Sequence, residues 1–164
     1  MVPVSVPHRN EPAFPGANRP GAPPSRPQKE RGNFGAEHGK IRSRRILVVD
    51  DELLIRWSLN EGLARVGFEV LEAEDARGAL ARFGPDAPHI DAVVLDLRLP
   101  DSADLGLLRR IRELSPETPV IMMTAYGSLE TTEDALRLGA WAVVSKPFDL
   151  HRMVTMVEDA VAEP

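Results

Sequence analysis

ILVVDDE, residues 46–52, sets four consecutive apolar side chains directly against three carboxylates. An apolar run that short and unbroken, rich in β-branched residues, reads as a strand buried on both faces, as strands of parallel sheets are. The same signature returns downstream, and strands are predicted at 45–49, 69–73, 92–95, 120–123 and 142–144. Between them apolar positions recur every three or four residues: Ile55, Leu59, Leu63, Val66; Leu107, Leu108, Ile111, Leu114; Leu150, Met153, Val154, Val157, Val161. That spacing predicts amphipathic helices. Two further helices are placed near 76–82 and 128–138, the second with a stripe weakened by Thr131, Thr132 and Gly139. Gly67 is placed as a helix C-cap, and Trp57, among Ile55, Leu59 and Leu63, is assigned to helix packing. The fold class is α/β: a doubly wound, five-stranded parallel sheet with five helices.

Composition divides the chain before the first strand. Residues 1–44 hold 8 of the 15 prolines and 5 of the 12 glycines, and the polar remainder cannot bury enough apolar surface to offset ordering entropy. A disordered tail (1–44) and one folded domain (45–164) are therefore expected. Residues 1–45 carry 9 Lys/Arg against 3 Asp/Glu, whereas 46–164 carry 11 against 22. The basic tail is read as a solubilising leader rather than a nucleic-acid or membrane contact. There is no cysteine, which excludes disulfide and thiolate chemistry and suits a reducing compartment. Pro3 and Pro7 break the opening MVPVSVPHRN, so no signal peptide is expected, and a cytoplasmic location is. His8, His38, His89 and His151 show no metal-ligand spacing.

Ligands of parallel α/β sheets bind beyond the carboxyl ends of the strands, so the residues that end each strand belong together. The first strand ends in Asp50 and Asp51, the third in Asp96 and the fourth in Thr124, and the fifth is followed by Lys146 and Pro147. Three carboxylates at one sheet edge repel one another unless a cation sits among them, and an all-oxygen set favours Mg²⁺. Asp96 is then a candidate nucleophile for a phosphoryl group, with the ion neutralising charge that develops in transfer. Thr124 offers a hydroxyl donor and Lys146 a fixed positive charge to the equatorial oxygens. Ala125 leaves room for the group to enter.

Four motifs in order, ILVVDDE (46–52), VVLDLRLPD (93–101), MMTAYGS (122–128) and SKPFD (145–149), resemble the receiver domain of two-component response regulators. The wording IRWSL (55–59), MTAYG and KPFD is most similar to nitrogen-regulation-type receivers. The resemblance implies a flavodoxin-like sheet of order 2-1-3-4-5. It also implies that Asp96 is the phosphoacceptor and that Asp51, Asp96 and the carbonyl of Arg98 are direct Mg²⁺ ligands, with Asp50 acting largely through water. Thr124 becomes the switch hydroxyl, Lys146 the phosphoryl-binding lysine, and Lys146–Pro147 a cis peptide. The partners implied are a sensor histidine kinase or a histidine phosphotransfer protein, and a downstream protein target. The chain reaches Pro164 just after the fifth helix, so a single-domain regulator that is not an enzyme and does not itself bind DNA or membrane is expected. Homodimerisation is left open.

Two places depart from the family wording. The loop LPDSADLG (99–106) has Asp101 and Asp104 where glycines are usual, and these, with Asp149, are read as turn or cap residues. Val143 stands where a Tyr or Phe is usual, with Trp141 two residues earlier, so the aromatic half of the switch is missing. Arg98 and Tyr126, two residues beyond Asp96 and Thr124, are expected to shield a phosphoryl group from water. Val143 motivates one alternative, a degenerate receiver that serves only as a protein-interaction module. A second alternative, a haloacid-dehalogenase-like phosphatase, uses similar residue types around Mg²⁺ but begins with the nucleophile, whereas here the acidic pair comes first. A flavin-binding reading is rejected because DDELL (50–54) stands where a Gly/Ser/Thr-rich phosphate loop would follow the first strand.

Overall fold

The computed structural model describes residues 43–125 and 127–162. Tail residues 1–42, and the disorder expected of them, lie outside this range, as does Tyr126. The elements alternate as β1 (Arg45–Val49), α1 (Leu53–Arg65), β2 (Glu69–Ala73), α2 (Ala76–Leu80), β3 (Ala92–Asp96), α3 (Gly106–Leu114), β4 (Val120–Thr124), α4 (Leu129–Arg137), β5 (Ala142–Ser145) and α5 (Leu150–Ala162). The strands form one parallel sheet in the order β2-β1-β3-β4-β5, as expected. Strands β3, β4 and β5 run one residue further than their apolar runs, ending on Asp96, Thr124 and Ser145.

Period-two alternation divides the core. Leu47, Val49, Val93, Leu95, Val120 and Met122 meet Ala76, Ala79, Leu107, Leu108, Ile111 and Ala135 from α2, α3 and α4. Ile46, Val48, Ala92, Val94, Ile121 and Met123 meet Leu59 and Leu63 of α1 and Met153, Val154, Val157 and Ala160 of α5. The three central strands are thus buried on both faces, which is why they read as unbroken apolar runs.

Helices α1 and α4 end alike. Gly67 has φ 97° and Gly139 has φ 92°, and paired hydrogen bonds close each terminus: Gly67 N to Ala64 O with Phe68 N to Leu63 O, and Gly139 N to Leu136 O with Ala140 N to Ala135 O. These are Schellman caps, in which glycine takes the left-handed position without a Cβ clash. Gly139 therefore lies beyond α4 and does not weaken it from within. The second helix is shorter than expected, α2 giving way to a 3-10 turn at Ala81–Phe83.

Trp57 departs from its assignment. It is 60% exposed, beside Leu53 at 65% and Leu54 at 76%, because α1 turns Leu59, Leu63 and partly Ile55 toward the sheet and residue 57 falls on the outer face. Val66 and Leu114, at the ends of their stripes, are also exposed. Among the described residues no helix is long and apolar enough to cross a membrane.

Candidate functional site

Strand order reverses between β1 and β3, whose register pairs Val49 with Leu95. The next residues, Asp50 and Asp96, therefore emerge side by side from the C-terminal edge, with Asp51 adjoining. Asp50, Asp51 and Asp96 each bring one carboxylate oxygen to within 4.8 Å of the others. Asp50 is fully buried and Asp96 nearly so, whereas Asp51 is exposed. The set is all oxygen, open to solvent on the Asp51 side and built of hard anionic donors, which fits Mg²⁺.

The fifth strand delivers a counter-charge. Lys146 Nζ lies 2.7 Å from Asp50 Oδ2, 3.3 Å from Asp96 Oδ2 and 3.4 Å from Glu52 Oε1. The strand edge aims this lysine, since Lys146 N donates to Thr124 O at 2.8 Å. The Lys146–Pro147 peptide is cis, as expected. Burial pushes the Asp96 carboxyl above its ordinary 3.8; Lys146 opposes this and the neighbouring Asp50 charge adds to it. Burial would lower the Lys146 ammonium, but its hydrogen bond to Asp50 and the charges of Asp50 and Asp96 outweigh that and hold it above 10.5.

Thr124 ends β4 with 4% of its surface exposed. A Cβ added at Gly127 would stand 2.7 Å from Thr124 Cγ2, so the β4–α4 loop rests directly on this threonine. Ser128 then caps α4, its Oγ accepting from Thr131 N at 3.1 Å. Arg98 donates its backbone N–H to Asp96, while its side chain is exposed.

The three loop aspartates are turn or cap residues, as expected. Asp101 accepts from Ala76 N at 2.8 Å and Arg77 N at 3.0 Å, Asp104 from Gly106 N at 2.8 Å and Asp149 from Arg152 N at 2.8 Å. The loop after β3 needs no left-handed glycine: Leu99 and Ser102 exchange hydrogen bonds of 2.7 and 3.2 Å around Pro100–Asp101, and no non-glycine residue described has positive φ. Val143 is half-buried on the α2–α3–α4 side of the sheet, whereas Trp141 packs with the α1–α5 side. Trp141 is therefore not placed to replace the missing aromatic.

Two residues outside the strand-end set also touch the site. Glu52, which closes the acidic motif, shares Lys146 and donates its N–H to Asp50 Oδ1 at 2.8 Å. Arg56, 9% exposed, donates from Nη1 to the Asp50 carbonyl at 2.7 Å and from Nε to Glu72 Oε2 at 3.3 Å. Its helical spacing from Leu59 and Leu63, which puts a cation at the margin of the buried face, is the available signal.

The family model for the response regulator receiver domain matches residues 46–158. Over 117 residues the chain is 42% identical to the regulatory protein AtoC of Escherichia coli (strain K12), covering 71% of this chain and 25% of that protein. It is 36% identical over 117 residues to the DNA-binding transcriptional regulator NtrC of Salmonella typhimurium, covering 71% and 24%. The chain thus spans about a quarter of the length of the curated relatives it matches. Among solved structures, the receiver domain of NtrX from Brucella abortus aligns with TM-score 0.65 and 39% identity, over 73% of this chain and 99% of that one. A CheY-like receiver domain protein from Methanospirillum hungatei JF-1 aligns with TM-score 0.70 and 31% identity, over 74% and 96%. The order in which acids, hydroxyl and lysine meet the sheet edge and the family match agree, and this chain belongs to the response regulator receiver family of two-component systems.

Proposed function

We propose that this domain accepts a phosphoryl group on Asp96 from a phosphohistidine of a partner protein, either a sensor histidine kinase or a histidine phosphotransfer protein, in the cytoplasm. The P–N bond of the donor breaks as a P–O bond forms to an Asp96 carboxylate oxygen, and the histidine nitrogen leaves with the bonding pair. The observation that carries this reading is the sharing of Lys146 by Asp50 and Asp96 at 2.7 and 3.3 Å, beside the oxygen cluster of Asp50, Asp51 and Asp96.

Asp51, Asp96 and the Arg98 carbonyl are the direct holders of Mg²⁺ in this proposal, with Asp50 acting through water. Bound there, the ion supplies charge neutralisation for the transferred group. Lys146 can pass from carboxylates to phosphoryl oxygens without leaving the site, since its anchoring hydrogen bond is made by its backbone. Thr124 offers its hydroxyl from the end of β4, and Ala125 leaves the approach clear. Asp96 is acceptor rather than catalyst for another substrate, so the domain works as a signalling element.

A second reading is favoured by Val143: the acidic site persists but phosphorylation no longer reaches an output surface, and the domain acts as a protein-interaction module. The phosphoacceptor reading is tested directly. The protein is incubated with acetyl phosphate and Mg²⁺, and intact mass and hydroxylamine lability are followed for the wild type and Asp96→Asn. One labile phosphoryl group on the wild type and none on the variant is expected. Labelling of Asp96→Asn at the wild-type rate, or failure of the wild type to label, would overturn the assignment.

A further inference from the structure

We infer that Arg56 is a positioning residue for the divalent cation: by holding the peptide that joins Asp50 to Asp51, it sets where the exposed Asp51 carboxylate points. The inference rests on the metal-assisted phosphoacceptor reading above.

β1 ends at Val49, so Asp50 and Asp51 stand where the ladder has begun to release the chain. Asp50 keeps one strand-like bond, its N–H donating to Ala73 O at 3.1 Å. Its carbonyl is taken by Arg56 Nη1 at 2.7 Å in a buried contact. That carbonyl belongs to the 50–51 peptide, whose rotation swings the Asp51 side chain through an arc. The Asp50 side chain is fastened independently by Lys146 and by Glu52 N–H. Among the described residues no hydrogen bond fastens the exposed Asp51 carboxylate, so its direction depends on the peptide that carries it.

Arg56 is itself held. Glu72 of β2 pairs with Arg56 Nε at 3.3 Å and accepts from Asn60 Nδ2 at 2.6 Å, so the guanidinium is gripped between α1 and β2. A nearly buried cation near the start of α1 gains nothing from the helix dipole, which disfavours positive charge there, and its polar head forfeits hydration. A planar fork with two bonded edges is what fixing a peptide requires, and a lysine cannot supply both edges.

The test measures Mg²⁺ binding by calorimetry on the folded full chain, well below each variant's melting temperature, so that affinity and stability are read separately. Groups that orient metal ligands typically contribute 10–100-fold to affinity, and Arg56→Ala is expected to weaken Mg²⁺ binding about ten-fold. Arg56→Lys, keeping one donor, is expected to fall between. Glu72→Ala is expected to weaken binding by a smaller factor, and adding it to Arg56→Ala should bring no further loss, since both act through one contact. Gly139→Ala, strained at φ 92° in the cap of α4, is the control: its melting temperature should fall while its Mg²⁺ affinity stays at the wild-type value. Should Arg56→Ala not fold, Arg56→Lys and Glu72→Ala carry the test. Affinities of the Arg56 and Glu72 variants within two-fold of wild type would overturn the inference, whatever happens to their stability. A wild type that binds no Mg²⁺ would overturn the underlying reading as well, so the two failures are distinguishable.

Discussion

Lys146 is the residue on which the charge balance of the site turns. It lies between two buried carboxylates with its own side chain 11% exposed, and removing it leaves two neighbouring anions without the cation they share. Breaking an enclosed ion pair costs about 3–5 kcal/mol. Because solvent reaches this cluster past Asp51, Lys146→Ala is expected to cost on the order of 2 kcal/mol of stability without Mg²⁺. The same substitution removes a charge that repels the incoming ion, so Mg²⁺ should bind the variant more tightly. At about 100 times its dissociation constant a ligand restores about 2.7 kcal/mol by mass action. Thermal melts with and without Mg²⁺ should therefore show a larger metal-induced rise for Lys146→Ala than for wild type, together with slower phosphorylation. An equal rise in both would mean that Lys146 neither screens nor competes at this site.

Among the elements, α2 is tied to the β3–α3 loop by one aspartate. The helix is five residues long, too short to persist unaided, and its first N–H groups are satisfied by carboxylates from two loops: Asp75 caps Gly78 N at 2.6 Å while Asp101 takes Ala76 N and Arg77 N. The Ala76 amide, helped by that of Arg77, holds the Asp101 carboxyl below its ordinary 3.8. A carboxylate with a depressed folded pKa contributes stability that is fully present above its unfolded pKa and is lost as pH falls through the folded value. Asp101→Ala should therefore melt below wild type at neutral pH, and the gap should close on acidification below pH 3.8. A gap that stays constant across the acid range would assign the loss to loop geometry and not to the charged cap.

For the whole molecule, the proposed phosphorylation of Asp96 would act only as far as the packing around the site carries it. A ligand shifts a conformational equilibrium only by its differential interaction with the two states. Val143 has one stiff χ1 and no long lever, and Trp141 packs on the other side of the sheet. Gly127 lies in direct reach of Thr124 and precedes the Ser128 cap of a helix whose one buried residue is Ala135. Hydrogen exchange with and without beryllofluoride should thus change most at 97–104 and 124–130. Equally large changes over 141–160 would show that β5 and α5 carry the signal by another route. The N-terminal edge offers a second test at this scale. Arg44, counted with the tail by composition, accepts from Glu69 N at 3.0 Å and donates from Nη1 to Val161 O at 2.6 Å, at the C-terminal end of α5, where a cation is favoured by about 0.3–1 kcal/mol. Deleting residues 1–42 should leave the melting temperature unchanged, whereas deleting 1–44 should lower it by a few degrees. A loss already complete at residue 42 would place a stabilising contact in the tail.

Strand positions, the αβ alternation and the acids, hydroxyl and lysine at strand ends were legible in the sequence because each is encoded locally: an apolar run, a helical period, a polar residue at the point where the run stops. ILVVDDE announces both a buried strand and the carboxylates it delivers, since a chain leaving a sheet core must expose or pair whatever follows. Once the strand ends were located, the clustering of Asp50, Asp51, Asp96 and Lys146 needed only the rule that parallel strands present one edge to ligands. Other features were decided only by tertiary structure, because they depend on register and packing between segments far apart in the chain. The β1–β2 register brings Glu72 to Arg56, and the folding of the β3–α3 loop against α2 gives Asp101 its two amides. The azimuth of α1 on the sheet turns Trp57 outward and Arg56 inward, although the residues are adjacent. A helical period specifies that a face exists, but which residues at its margin are covered depends on what packs against it.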